Sequence, residues 1–191
     1  VLVIVLVFVA LAVAGVLLGQ VFGDQLFGDD DPSVPGVVGG GAENVPALSL
    51  TATAFDPEGD GAEHDDEASL AVDRDLNTAW TSEEYDSPAD FSGLKSGVGL
   101  VLTFAEASDL GDLGVQTGME GWSAQVYVAD APAADLGGWG DPVDEQTDIA
   151  GDAATFDLSG HAGAAVLLWI TNPGTSSPTQ ASVVEVGLTP A

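Results

Sequence analysis

The chain has 191 residues, 31 acidic side chains against two basic ones (Arg74 and Lys95), a formal net charge of −29 and no cysteine. Such a charge weighs against nucleic acid or anionic lipid headgroups as partners, since both are held through basic patches. The missing cysteines exclude a disulfide framework and any thiolate site for zinc or redox work. The acidity favours solubility, cation binding or a salty environment, and its plainest reading is a solvated surface.

In chain order, Val1 to Leu18 carries no charge and no strongly polar side chain, and the apolar stretch continues to Phe22. About 20 apolar residues at about 1.5 Å each cross a hydrocarbon core of about 30 Å, so residues 1–22 are expected to form a transmembrane helix. A cleaved signal peptide is the rival: Ala10-Leu11-Ala12 and Ala12-Val13-Ala14 both offer small-x-small sites. Apolar sequence runs on past them, beyond the roughly 7–15 residues of a signal core. The start on Val, with no basic flank, is what a piece of a longer protein would show. The flank after the helix has no Lys or Arg, which places the acidic part on the extracytoplasmic side of a cell membrane. Residues 23–47, rich in Gly, Pro and Asp with no sustained period, read as a self-repelling linker.

From Leu48 the apolar runs are short and rich in β-branched and aromatic residues. Strands are expected at Leu48–Phe55, Val98–Phe104, Leu113–Thr117, Trp122–Ala129, Ala154–Leu158, Ala165–Asn172 and Ser182–Leu188, each bounded by Gly, Pro, Asp or Ser. No helical window of ten residues competes with them. The fold class is therefore mostly β, a β-sandwich or jelly roll spanning 48–191. Strict alternation in the last strand puts Val183 and Glu185 on one face and Val184 and Val186 on the other.

Two loops carry oxygen ligands. Asp56, Glu58 and Asp60, followed by Gly61, resemble the opening of a calcium loop, with Glu67 at the twelfth position. The preceding strand and the third-position Glu do not suit an EF-hand, and in so acidic a chain a plain acidic turn is the preferred reading. The second loop, Asp73-Arg74-Asp75-Leu76-Asn77-Thr78-Ala79-Trp80, has Asx and Thr side chains that can bond back to the backbone or face calcium.

This second loop resembles the Asp-Gly-x-x-x-Thr-x-Trp signature of discoidin-like (factor 5/8 type C) domains, with Arg74 in place of the Gly. Val184-Glu185-Val186-Gly187 resembles the closing strand of the same galactose-binding-like jelly rolls. The resemblance implies a structural calcium: Asp73 and Thr78 would give side-chain oxygens, Asp75 a backbone carbonyl and Glu185 a carboxylate. The wider order FDPEGDGAE, AVDRDLNTAWTSEEY, FSGLKSGVGLVLTF, VLLWITN, SVVEVGL is similar to the extracytoplasmic C-terminal domain of actinobacterial MviN-type, lipid II flippase-related proteins, or of related membrane-anchored kinases. It implies a part in peptidoglycan biosynthesis at the membrane. No flippase or kinase motif lies in these residues.

Trp80, Trp122 and Trp169 fall in strand-like runs and are expected in the core. Trp139, in a Gly-rich loop, is the candidate for an exposed platform that stacks on a sugar, and Tyr85 for its rim. Gly93 to Gly99 lacks the spacing of a phosphate loop, so Lys95 reads as an ion-pair partner or a fixed strand start. His64 and His161 fit no metal spacing, and no nucleophile elbow or H-E-x-x-H motif is present, so no enzyme is expected. The function expected is non-catalytic binding of cell-wall glycan or an envelope component. An interaction module without a sugar site is the first rival, marked by an exposed apolar patch. A glycan hydrolase is the second, requiring two carboxyls facing a cleft.

Overall fold

The computed structural model describes residues 47–88 and 90–191, which fall in one compact unit, Pro46–Ala191. The expected membrane helix (1–22), and all of the expected linker except Ala47, lie outside the described residues. Among the described residues no helix is long and apolar enough to cross a membrane.

Eight strands build the unit: β1 (Thr51–Phe55), β2 (Trp80–Thr81), β3 (Val98–Thr117), β4 (Trp122–Ala129), β5 (Asp144–Ile149), β6 (Ala153–Asp157), β7 (Ala162–Asn172) and β8 (Ser182–Pro190). All pairings are antiparallel. The first half of β3 lies between β1 and β7 in the layer β1–β3–β7–β4–β5. Its second half lies between β8 and β6 in the layer β2–β8–β3–β6. The runs expected as separate strands at 98–104 and 113–117 are thus one strand of 20 residues. It turns the corner at its exposed middle, where the register slips between Thr103 and Ser108.

Alternation within the strands explains the layering. Leu100, Leu102, Ala124, Val126, Val166, Leu168 and Ile170 point inward from the first layer, against Leu113, Val115, Phe156, Val186 and Leu188 of the second. Trp122 meets Phe156 edge to face at 6.3 Å. The other side of the first layer is apolar as well. Phe55, Val101, Tyr127, Leu167 and Trp169 form a second cluster, covered by Ala133, Leu136 and Trp139 from the β4–β5 connection. This is why the β7 sequence is apolar on both faces. Gly97 is required here, because a Cβ would stand 2.5 Å from the Trp169 ring.

Two elements were invisible to periodicity. β5 (DEQTDI) buries only Ile149 and forms the outer edge of its layer. Gln146 Nε2 donates to the Thr155 carbonyl at 2.7 Å, and Asp157 N–H donates to Asp144 Oδ2 at 3.0 Å, tying β5 to β6 across the seam between layers. A 3-10 helix, Asp65–Val72, buries only Ala68 and Ala71.

All four tryptophans are at most 4 % exposed. Iodide is therefore expected to quench native fluorescence weakly and that of the urea-unfolded chain strongly; efficient quenching of the native state would contradict the covered second cluster.

Candidate functional site

The long connections between β1 and β3 collect at one end of the sandwich, beside the start of β8. They carry the candidate residues in two separate clusters.

The first lies on the outer side of the second layer. Pairing of β3 with β8 runs Gln116 to Glu185 and then Thr117 to Val183, so Val184 is bulged out. The bulge breaks alternation: Val183 and Val186 both enter the core, and Glu185 faces away from it. Strict alternation had placed Val183 with Glu185; one extra residue reverses that. Over Glu185 folds the loop Asp73–Thr78. Arg74 N–H donates to Glu185 Oε2 at 2.8 Å. Asp73 accepts the Thr78 hydroxyl at 3.1 and 2.9 Å, and its Oδ1 also accepts Asp75 N–H at 2.8 Å. Arg74 adopts φ 64°, the left-handed conformation for which Gly is the easy choice, and so takes the backbone shape of the Gly it replaces.

Asp73, Thr78 and Glu185 are therefore brought to one place. The Asp75 carboxylate turns instead to Asn77, accepting its N–H at 3.0 Å and its side-chain amide at 2.8 Å. Its carbonyl stays in the loop, accepting the Thr78 hydroxyl at 2.8 Å. Glu185 is 2 % exposed. Burial, with the nearby Asp73 charge, raises its pKa to about 7 against the hydrogen bond from Arg74 N–H. Two acidic groups thus share a site whose donors are all hard oxygens, the chemistry that calcium prefers. Among the described residues no three His, Asp or Glu side chains converge on one point, so any cation here would draw on hydroxyl and carbonyl oxygens too.

The second cluster replaces the calcium loop considered at Asp56, Glu58 and Asp60. Asp56 is 5 % exposed and lies 3.0 Å from Lys95 Nζ. Glu58 accepts the Ser96 N–H at 2.5 Å and its hydroxyl at 2.6 Å, and Asp60 accepts Ala62 N–H at 3.1 Å. These carboxylates point to different partners and do not form a cage. What converges is Glu63, fully buried and absent from the sequence-based candidates. Its Oε1 accepts Lys95 Nζ and the Tyr85 hydroxyl, both at 2.5 Å, and its Oε2 accepts Glu83 N–H at 2.7 Å. The Glu63 carbonyl accepts Trp80 Nε1–H at 2.7 Å. Burial alone would lower the Lys95 pKa, but hydrogen bonds with Glu63, Tyr85 and Asp56 outweigh it and hold the ammonium above its usual range. Lys95 is thus both an ion-pair partner and a fixed strand start. In a chain with two cations, the only sequence signal for this cluster was the rarity of Lys95 itself.

The aromatic candidates are corrected. Trp139 is not an exposed platform: it is 4 % exposed and packs edge to face on Phe55 at 6.2 Å, because the outer face of the first layer is itself apolar and must be covered. Tyr85 is half-buried, with its ring on Phe91 at 4.9 Å and its hydroxyl committed to Glu63. Trp80, Trp122 and Trp169 lie in the core as expected. His64 Nδ1 meets the Thr81 carbonyl at 2.9 Å, a local bond.

No protein-family model matches the chain. Solved structures share its fold. The family 32 CBM from Clostridium perfringens NanJ in complex with galactose matches with a TM-score of 0.53 at 15 % identity, over 74 % of this chain and 96 % of that one. CBM32-3, from a family 31 glycoside hydrolase of the same organism, gives 0.54 at 16 % identity, over 76 % and 95 %. CpGH89CBM32-5 of that organism, in complex with GalNAc-β-1,3-galactose, gives 0.52 at 17 %, over 75 % and 99 %. A family 89 glycoside hydrolase from C. perfringens matches over only 14 % of its own length. By architecture this chain is similar to carbohydrate-binding modules of family 32, an antiparallel β-sandwich of the galactose-binding-like kind.

Proposed function

We propose that the chain is a non-catalytic glycan-binding module, carried outside the cytoplasm by the apolar segment 1–22 as part of a membrane protein of peptidoglycan biosynthesis. The observation that supports the glycan-binding part is the fold likeness, over 74 % of this chain, to a module solved with galactose. A hydrolase finds no support in the Asp73–Glu185 pair, because the buried Glu185 carboxyl is capped by Arg74 N–H and open to no substrate. In the described unit, the loops between β1 and β3 stand at the end of the first layer opposite Ala47, which precedes β1.

The first cluster is read as a structural calcium site: Asp73, Thr78 and Glu185 through side chains, Asp75 through its carbonyl. The ion would supply the positive charge that the two carboxyls lack. A calcium-specific rise in melting temperature over EDTA, at matched ionic strength, is expected and is lost in Asp73→Ala. At 100 times the dissociation constant, the gain is about 2.7 kcal/mol. An equal rise with sodium would sink the site.

Glycan binding is tested by array screening of the full chain, with galactose-terminated and peptidoglycan-derived oligosaccharides expected to be retained. A second reading, docking of an envelope protein, draws on the exposed Leu76 and Leu94 (59 and 70 % exposed) and on the burial of Trp139. It wins if no glycan binds while Leu76→Ser and Leu94→Ser abolish capture of an envelope protein.

A further inference from the structure

We propose that Lys95 and Asp56 are a site of self-catalysed covalent modification, an isopeptide cross-link between the end of β1 and the start of β3, promoted by Glu63. The placement is that of a reaction, because nucleophile, electrophile and proton acceptor meet away from water. The side chain of Lys95 is 8 % exposed, and the side chains of Asp56 and Glu63 are 0 % exposed. Nζ stands 3.0 Å from Asp56 Oδ1, an oxygen with no partner other than Lys95. Asp56 Oδ2, by contrast, accepts Gly61 N–H at 3.2 Å. The backbone of Gly59 closes the site from above: a Cβ there would stand 2.6 Å from Lys95 Nζ and would overlap Asp56 Oδ2. The Tyr85 ring, 5.5 Å from Nζ, walls another side.

The step balances without a co-reactant. Glu63 Oε1, 2.5 Å from Nζ, takes a proton from the ammonium. Glu63 passes that proton to Asp56 Oδ1, so the carboxyl is neutral when the freed amine attacks Cγ and forms the C–N bond. Gly61 N–H steadies the charge that develops on Oδ2, as oxyanion donors do. A second proton then leaves the nitrogen for Oδ1, and the Cγ–Oδ1 bond breaks to release water. One ammonium and one carboxylate become one amide and one water. The reaction removes two buried charges whose desolvation is costly, and exclusion of water disfavours the reverse step.

Intact mass spectrometry of the full chain, purified natively and shown folded by near-ultraviolet circular dichroism, decides the proposal. The expected mass is that of the sequence less one water, with fragmentation placing the loss on a branched peptide joining residues 56 and 95. Lys95→Met and Asp56→Ala should show no loss, and Glu63→Gln should slow or stop it. A folded wild-type chain that keeps its full sequence mass after prolonged incubation overturns the cross-link, with no bearing on glycan binding. Cross-linking of Glu63→Gln at the wild-type rate overturns the role given to Glu63. Should these variants not fold, the wild-type mass alone still decides.

Discussion

Measured against wild type in its ion-paired form, before any cross-link, Lys95→Met is expected to cost about 3–5 kcal/mol of stability, the typical result of removing one partner from a buried charge pair. The variant leaves Asp56 and Glu63 inside the protein with no cation between them. The loss should be larger than the attraction it removes, because two carboxylates then stand uncompensated in a dry site. It should also spread. Glu63 orders Tyr85 through its hydroxyl and Glu83 through its backbone N–H, while its carbonyl holds the Trp80 indole. Loosening Glu63 therefore frees the loops on both sides of β2. Urea denaturation followed by tryptophan fluorescence gives the free energy. The control is Lys95→Met with Asp56→Asn and Glu63→Gln, which removes every charge while keeping the hydrogen-bonding shape. That variant should recover most of the loss. If Lys95→Met alone costs under about 1 kcal/mol, the cluster behaves as an exposed ion pair and its burial is wrong.

How much of this was legible beforehand depends on range in sequence. The strands that bury a face announced themselves: WSAQVYVA and the apolar run of β7 needed only local alternation. β5 did not, because an edge strand with one buried side chain has no pattern to show. The joining of 98–104 with 113–117 was hidden for the same reason, since the polar middle of β3 is a solvated corner. The first cluster was reachable because its residues sit in two short motifs. The bulge that turns Glu185 toward that loop was not, since it depends on how β8 pairs with β3. The second cluster brings together residues 56, 63, 85 and 95 through loop folding alone. A lone tryptophan between glycines reads as exposed until the outer face of its sheet is known to be apolar.

Glu185 makes the stability of the metal-free protein fall as pH rises. In the unfolded chain a Glu loses its proton near 4.5, whereas in the folded protein Glu185 keeps it up to about 7. Between these values the folded state binds more protons than the unfolded one, so raising pH favours unfolding. The contribution is complete below about pH 4.5 and gone above about pH 7. At roughly 1.4 kcal/mol per pH unit it amounts to at most about 3.5 kcal/mol across the window. Mutual repulsion among the many other carboxylates adds to the same trend, so the measurement is a difference: urea midpoints of wild type and Glu185→Gln in EDTA, from pH 4.5 to pH 7.5, each endpoint being about the edge of the titration. Wild type should lose stability relative to Glu185→Gln as pH climbs, and parallel curves would contradict the buried carboxyl. At the proposed calcium site the expected sign is the opposite one. A cation held by Asp73 and Glu185 requires the ionised carboxylate, so its binding competes with protons and strengthens as pH rises. In saturating calcium the wild-type curve should flatten or turn upward through the same window, while Glu185→Gln, short of one charged ligand, should respond less. Loss of the acid-side advantage and gain of the metal-side one are then read from a single residue, by changing only pH and calcium.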